Sequence, residues 1–243
     1  MSSHQIKALT FDTGGTILDW HSGFLSALKF AGEKYGIKKN WGQITNELRR
    51  RSLMSMLNLG EYLPPQYNFD DAHQFTLEAL LRENHIHEFS KDDIHEIAYK
   101  TPHNFKCWPD FPKVIPILKK HYIVSSFTIL SYRLIIDTAK NNGFSWDSVF
   151  SCEGIGKYKI LPESYKTVSS YLQLKVEECC MVACHNFDLN AAKSVGYKTA
   201  FIRRPDEWGF ESPPDPEPNP EHDIIVDTFS ELVEALDVLN KKI

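Results

Sequence analysis

The fold class this sequence predicts is α/β: a doubly wound parallel sheet with a small helical domain inserted after the first strand. Three observations carry that expectation. The run Lys7-Ala8-Leu9-Thr10-Phe11 ends in Asp12, with Gly14 and Gly15 close behind, as when a parallel strand delivers a carboxylate to the crevice outside the carboxyl ends of an open sheet. Residues 41–109 show no strand-like alternation, only helical spacing. Beyond Trp108-Pro109-Asp110-Phe111-Pro112, strand-like and helix-like segments alternate, the mark of right-handed crossovers between parallel strands. The expected division is a core of residues 1–18 and 109–243 and a helical cap of residues 19–108.

In order, the apolar strand is followed by Phe24, Leu28, Ala31 and Tyr35 at helical spacing, with Gly36 to close the helix. Further helices are expected at 44–59, 72–84 and 91–100, the first two separated by Gly60-Glu61-Tyr62-Leu63-Pro64-Pro65. Pro109 and Pro112 disfavour continuing the preceding helix and open another at 114–120. Strands are then expected at 122–127, 149–152, 179–184, 198–202 and 223–226. Helices fall between them at 132–142, 163–172 and 190–195, closed by Gly143 and Gly196 where the first and last end. The stretch Ser212-Pro213-Pro214-Asp215-Pro216-Glu217-Pro218-Asn219-Pro220 cannot enter a ladder and reads as an exposed connector. Phe229, Leu232, Val233, Leu236 and Leu239 mark a closing amphipathic helix.

Composition narrows the function. With 243 residues, 42% hydrophobic and 24% charged, the chain has the balance of a globular protein with a sizeable core. A net charge of -5 leaves no basic footprint for nucleic acid. The first residues lack a cationic segment followed by an apolar one, and no apolar run approaches the ~20 residues that span a bilayer; the expectation is a cytoplasmic protein without membrane contact. The cysteines are five, an odd number, with no CxxC pair or finger-type histidine spacing, so reduced thiols are expected. Cys179, Cys180 and Cys184 fall in an apolar run where free cysteine acts as a small hydrophobe.

Strand tips should bring Asp12, Thr128, Lys159 and Asp188 to one edge of the sheet. Asp12 is the candidate nucleophile, although its glycine pair alone equally suits an Asx turn after a core strand. In that order, with a helical insert after the first, these residues resemble the haloacid dehalogenase superfamily, and most closely its L-2-haloacid dehalogenase (type II) branch. The resemblance rests on Phe11-Asp12-Thr13-Gly14-Gly15-Thr16 with Asp19-Trp20, Gly156-Lys157-Tyr158-Lys159, and Met181 through Leu189. Thr199 through Pro205 and the cap segment Leu48-Arg49-Arg50-Arg51 add to it.

That resemblance implies a hydrolase in which Asp12 displaces halide from a short 2-haloacid, forming an ester that water cleaves. It implies that Thr128 orients Asp12, that Lys159 keeps it ionised, and that Asp188 helps activate water. Arg49 would grip the substrate carboxylate bidentately; of three consecutive arginines on a helix, one or two at most can face a site. Tyr165 matches a site-lining tyrosine, and its spacing with Val168 equally suits core packing. His185 reads as a site wall or a turn residue. No cofactor or metal is implied, and the branch suggests a homodimer.

Two positions depart from the branch. Gly14 stands where phosphatases of the superfamily carry a second Asp and the dehalogenases an aromatic residue. Ile129 stands where the dehalogenases carry an asparagine, removing a polar donor from the expected substrate pocket. Two alternatives therefore stand beside haloacid hydrolysis: a catalytically impaired protein that keeps the fold, and a Mg²⁺-dependent phosphatase with Asp12, the Gly14 carbonyl and Asp188 as ligands.

Overall fold

The computed structural model describes residues 5–58, 66–214 and 217–241. Its six strands are β1 (Ala8–Phe11), β2 (Ile123–Thr128), β3 (Ser148–Ser151), β4 (Cys179–Ala183), β5 (Lys198–Ile202) and β6 (Ile224–Val226). They form one sheet in the order β3-β2-β1-β4-β5-β6, and every pairing is parallel. The chain winds outward from β1 to β3, then returns to β4 on the other side of β1. Strand order reverses there, and such a reversal opens a crevice at the carboxyl ends of the strands. Asp12 is the first residue past the end of β1. All of β1 and β4 is buried, which explains why both read as apolar runs without alternation: helices cover both faces.

Helices α1 (Trp20–Lys34), α2 (Trp41–Asn58) and α3 (Phe69–Glu83) lie between β1 and β2. They are followed by α4 (Lys91–His95), which runs through a π-helical turn (Glu96–Lys100) into α5 (Thr101–His103). Side-chain oxygens close the open N-termini. Asp19 accepts from Ser22 N at the start of α1, and capping boxes join Asn68 to Asp71 and Ser90 to Asp93 at the starts of α3 and α4. The chain enters and leaves this helical segment through two strands of backbone bonded to each other. Asp19 N donates to Lys106 O (2.8 Å) and Trp108 N to Ile17 O (2.9 Å). The Trp108 indole adds a bond to Gly15 O (2.7 Å).

The remaining helices are α6 (Phe111–Leu118), α7 (Tyr132–Asn141), α8 (Cys152–Ile155), α9 (Pro162–Tyr171), α10 (Asn186–Ser194) and α11 (Phe229–Lys241). Beneath Asp12, Phe11 sits among the rings of Phe111 (5.5 Å between centroids), Trp146 (5.9 Å) and Phe229 (6.1 Å). Full burial of such a ring is worth about 1.5–3 kcal/mol, so the strand that carries Asp12 is anchored from below. None of the helices among the described residues is long and apolar enough to cross a membrane.

Most expected elements appear within a few residues of their expected ends. The helix expected at 190–195 is α10, which begins at Asn186, so Asp188 stands on a helix's first turn rather than a loop. An acid in a first turn is favoured by the helix dipole. Cys152, expected to end a strand, opens α8 instead. The helix expected at 91–100 is split between α4 and the π turn. Leu59 and the loop of residues 60–65 lie outside the described residues.

Candidate active site

Asp12 continues the β1–β4 ladder by one bond, its N–H donating to Val182 O (2.9 Å). The chain then turns sharply. Gly15 alone of the two glycines takes positive φ (+95°), and a Cβ there would lie 2.0 Å from Glu207 Oε1. At Gly14 the constraint is one of contact with a side chain instead: a Cβ would meet Arg49 Nη2 at 2.9 Å, so the guanidinium would have to shift. The turn carries Thr16 back over the carboxylate, where its hydroxyl donates to Asp12 Oδ2 (2.8 Å). Thr128, expected to orient Asp12, lines the same pocket, but its hydroxyl meets Thr13 Oγ1 (2.7 Å) and accepts from Leu130 N (3.2 Å). Thr128 ties the turn to β2, and Thr16 holds the carboxylate.

Lys159 lies between α8 and α9 and is only 2% exposed. Its ammonium donates to Asp188 Oδ2 (2.6 Å) and Asp12 Oδ1 (3.2 Å), over the ring of Phe127 (4.8 Å to the centroid). The Tyr165 hydroxyl donates to Asp188 Oδ1 (2.6 Å). Of the two readings of Tyr165, site-lining or core packing, its place fits the second: it stands behind Asp188 with its ring packed on Phe127 and Tyr197. Both oxygens of Asp188 are thus engaged. Burial opposes ionisation of Asp12, yet Lys159, then His185 and Thr16, hold it well below the usual carboxylate range. Burial and the charge of Asp12 raise Asp188, although Lys159 and Tyr165 pull the other way. Asp12 is the more acidic member of the pair.

Arg49 is the arginine of its triplet that faces inward. It is 4% exposed, lies between the rings of Trp20 (5.5 Å) and Phe69 (5.8 Å), and donates through Nη2 to Gly14 O (3.0 Å). Its buried Nε has no hydrogen-bond partner. Arg50 pairs with Glu47 and Glu211, and Arg51 with Glu47 and Glu83, on the outer face of α2.

His185 precedes α10, with Nδ1 3.5 Å from Asp12 Oδ2 and Nε2 3.1 Å from Glu207 Oε1. Burial alone would lower its pKa; Cys184, Glu207 and Asp12 together lift it well above the ordinary value. Glu207 is the residue sequence reasoning missed. It sits in the turn after β5, 2% exposed, and accepts from Trp20 Nε1 (3.0 Å). No periodicity separates it from its exposed neighbour Asp206; the signal was its place two residues beyond the Arg203-Arg204-Pro205 stretch.

Asp12, Gly14, Arg49, Ile129, Lys159, His185 and Asp188 line one narrow pocket with a free volume of about 10 Å³, room for roughly one water. An ionised carboxylate, stripped of bulk water and braced by a cation, is a nucleophile. A stacked guanidinium across the same pocket is a receptor for an anion. Magnesium would fit poorly between Asp12 and Asp188, because Lys159 already bridges them and Arg49 occupies the Gly14 carbonyl.

No protein-family model matches the chain. The (S)-2-haloacid dehalogenase 4A of Burkholderia cepacia is 27% identical over 218 residues, 84% of this chain and 87% of that protein. Among solved structures, the L-2-haloacid dehalogenase PA0810 is 28% identical with a TM-score of 0.87, over 96% of this chain and 99% of that one. The defluorinating L-2-haloacid dehalogenase Rha0230 is also 28% identical, with a TM-score of 0.86, over 96% and 95%.

Proposed function

The chain is an L-2-haloacid dehalogenase-like protein of the haloacid dehalogenase superfamily, and from that premise we propose that it is a hydrolase cleaving the carbon–halide bond of a short 2-haloacid. The observation that carries this reading is the convergence of a braced, ionised Asp12 and a buried Arg49 with a spare Nε donor on one small pocket. In the proposed reaction an Asp12 oxygen bonds to the carbon bearing the halogen, and the halide leaves with the bonding electron pair. Water then attacks the Asp12 acyl carbon, releasing the 2-hydroxyacid, the carboxylate and one proton. Arg49 exchanges the Gly14 carbonyl for the substrate carboxylate. Lys159 offsets the charge of Asp12, and Asp188, held by Tyr165, positions that ammonium. Thr128 supports the turn beneath the nucleophile. Ile129 and His185 are pocket wall.

A one-water pocket is too small for a haloacid, so this reading includes an opening motion. We place its boundary where residues 19–108 form a cap over a core of 1–18 and 109–243, with the paired backbone strands at residues 15–19 and 106–108 as the hinge. The partner is a small carboxylate rather than nucleic acid, in keeping with the net charge of -5; a cytoplasmic homodimer completes the proposal.

The test is halide release from the separate enantiomers of 2-chloropropionate and from chloroacetate. Release that disappears in Asp12→Asn is the expected result. A folded protein that frees no halide from any short 2-haloacid would overturn the proposal and leave the impaired alternative, whereas phosphate release from a panel of phosphate esters would favour the phosphatase.

A further inference from the structure

Behind the pocket of Asp12 lies a second cavity of about 510 Å³, whose lining includes Cys184, Phe201, Arg204, Glu207 and Phe210. The two spaces share a wall. Cys184 and Glu207 face the cavity, while His185, next in the chain to Cys184, faces the pocket. Haloacid hydrolysis as proposed uses neither the thiol nor Glu207.

We propose that Cys184, His185 and Glu207 form a three-ligand zinc site in this wall, reached from the larger cavity. Their separations lie within about 0.2 Å of those of ligands around one tetrahedral ion. Cys184 Sγ lies 3.4 Å from His185 Nε2 and 3.6 Å from Glu207 Oε2, and the last two are 3.2 Å apart. Zinc bonds of about 2.3 Å to sulfur and about 2.0–2.2 Å to nitrogen and oxygen, at tetrahedral angles, place ligand atoms about 3.3–3.6 Å apart. A thiolate, an imidazole and a carboxylate suit Zn²⁺ rather than Mg²⁺ or Ca²⁺.

Each ligand is already held from its far side. Trp20 Nε1 donates to the other Glu207 oxygen (3.0 Å), the Thr16 hydroxyl lies 3.5 Å from the sulfur, and His185 Nδ1 faces Asp12 Oδ2 (3.5 Å). A carboxylate behind a ligating histidine is the outer-shell arrangement that fixes imidazole orientation in zinc sites. The thiolate and Glu207 match the charge of the ion. Arg49 and Arg204 oppose it from the two sides, and Asp12 offsets them. The fourth tetrahedral position opens on the cavity and takes water. Because the ligands come from the end of β4 and the turn after β5, bound zinc also clamps that turn and raises the melting temperature by linkage.

The test uses the full chain, stripped with a chelator and titrated with Zn²⁺ by calorimetry and with Co²⁺ by absorption. Expected are one ion per chain, a thiolate-to-cobalt charge-transfer band with intense tetrahedral d–d bands, and a zinc-dependent rise in melting temperature. Cys184→Ser should abolish the charge-transfer band and weaken zinc at least ~100-fold, beyond what loss of an outer-shell partner costs; Glu207→Gln should weaken it likewise. The proposal is overturned by absence of saturable zinc binding, by a weak six-coordinate cobalt spectrum, or by undiminished binding in Cys184→Ser. Each readout is independent of haloacid turnover, so it stands or falls separately from the proposed activity.

Discussion

Replacing Lys159 by methionine keeps the aliphatic stem in its buried slot and deletes the one ammonium that touches both Asp12 and Asp188. Two carboxylates are then left facing each other in a site where the lysine itself is only 2% exposed. Breaking a buried ion pair by removing one partner costs about 3–5 kcal/mol, a large share of the ~5–15 kcal/mol by which domains are stable. The fall of stability with rising pH should steepen as well. In the native chain the depressed Asp12 contributes stability that is present above its unfolded pKa of 3.8 and lost as pH falls through its lower folded value. Asp188, raised from the same 3.8, works the opposite way: its contribution is complete below that value and lost as pH rises through its folded pKa. Without Lys159, burial and mutual repulsion raise both groups, so the stability of Lys159→Met should fall as pH rises. Urea unfolding followed between about pH 5 and about pH 8 reads this directly. A variant within ~0.5 kcal/mol of the native protein near neutrality, the range of an inconsequential surface change, or one with a parallel pH profile would refute the reasoning.

Three further outcomes follow from named contacts. Arg49→Lys keeps a charge but loses the planar fork and its seat between Trp20 and Phe69; KM for a 2-haloacid should rise about tenfold, equivalent to ~1.4 kcal/mol, with kcat less affected in steady-state halide assays. Gly14→Phe places a Cβ 2.9 Å from Arg49 Nη2; the ring must expel the guanidinium, and denaturation should show a loss of about 1–3 kcal/mol. His103 joins Asp137 (2.8 Å) and Asp70 (3.5 Å), and its pKa is raised because those two acids outweigh burial. Its contribution is therefore complete below 6.5 and lost as pH rises through the higher folded value; thermal melts of His103→Gln across that interval should lack this decline and lie about 1 kcal/mol lower at the acid end.

The sheet was legible because its strands are short apolar runs separated by glycine and proline punctuation, and burial on both faces leaves few other readings for segments such as 179–184. Lys159 and Asp188 fell beside Asp12 because the end of each parallel strand opens on the same edge. What sequence could not supply was pairing at the scale of one hydroxyl. Thr16 and Thr128 flank the same carboxylate region on adjacent segments, and only the sharp turn at Gly15 decides which of them donates to Asp12. Tyr165 shows the same limit: helical spacing puts its ring in the core, and only its terminal hydroxyl reaches Asp188. Glu207 was hidden for a different reason. An acid in a proline-containing turn is ordinarily solvated, and its burial depends on Trp20 and His185 arriving from distant parts of the chain.

The resting bond between Arg49 and the Gly14 carbonyl also works as a filter on what enters. An uncharged halocarbon that displaces the carbonyl gives the guanidinium a poorer acceptor than it had, so admission is uphill. A carboxylate replaces a neutral acceptor with an ionised one, an exchange that roughly doubles the strength of the bond. The proposed pocket thereby discriminates anions from isosteric neutral molecules before any chemistry begins, using a main-chain oxygen that Gly14, lacking a side chain, leaves open to Arg49.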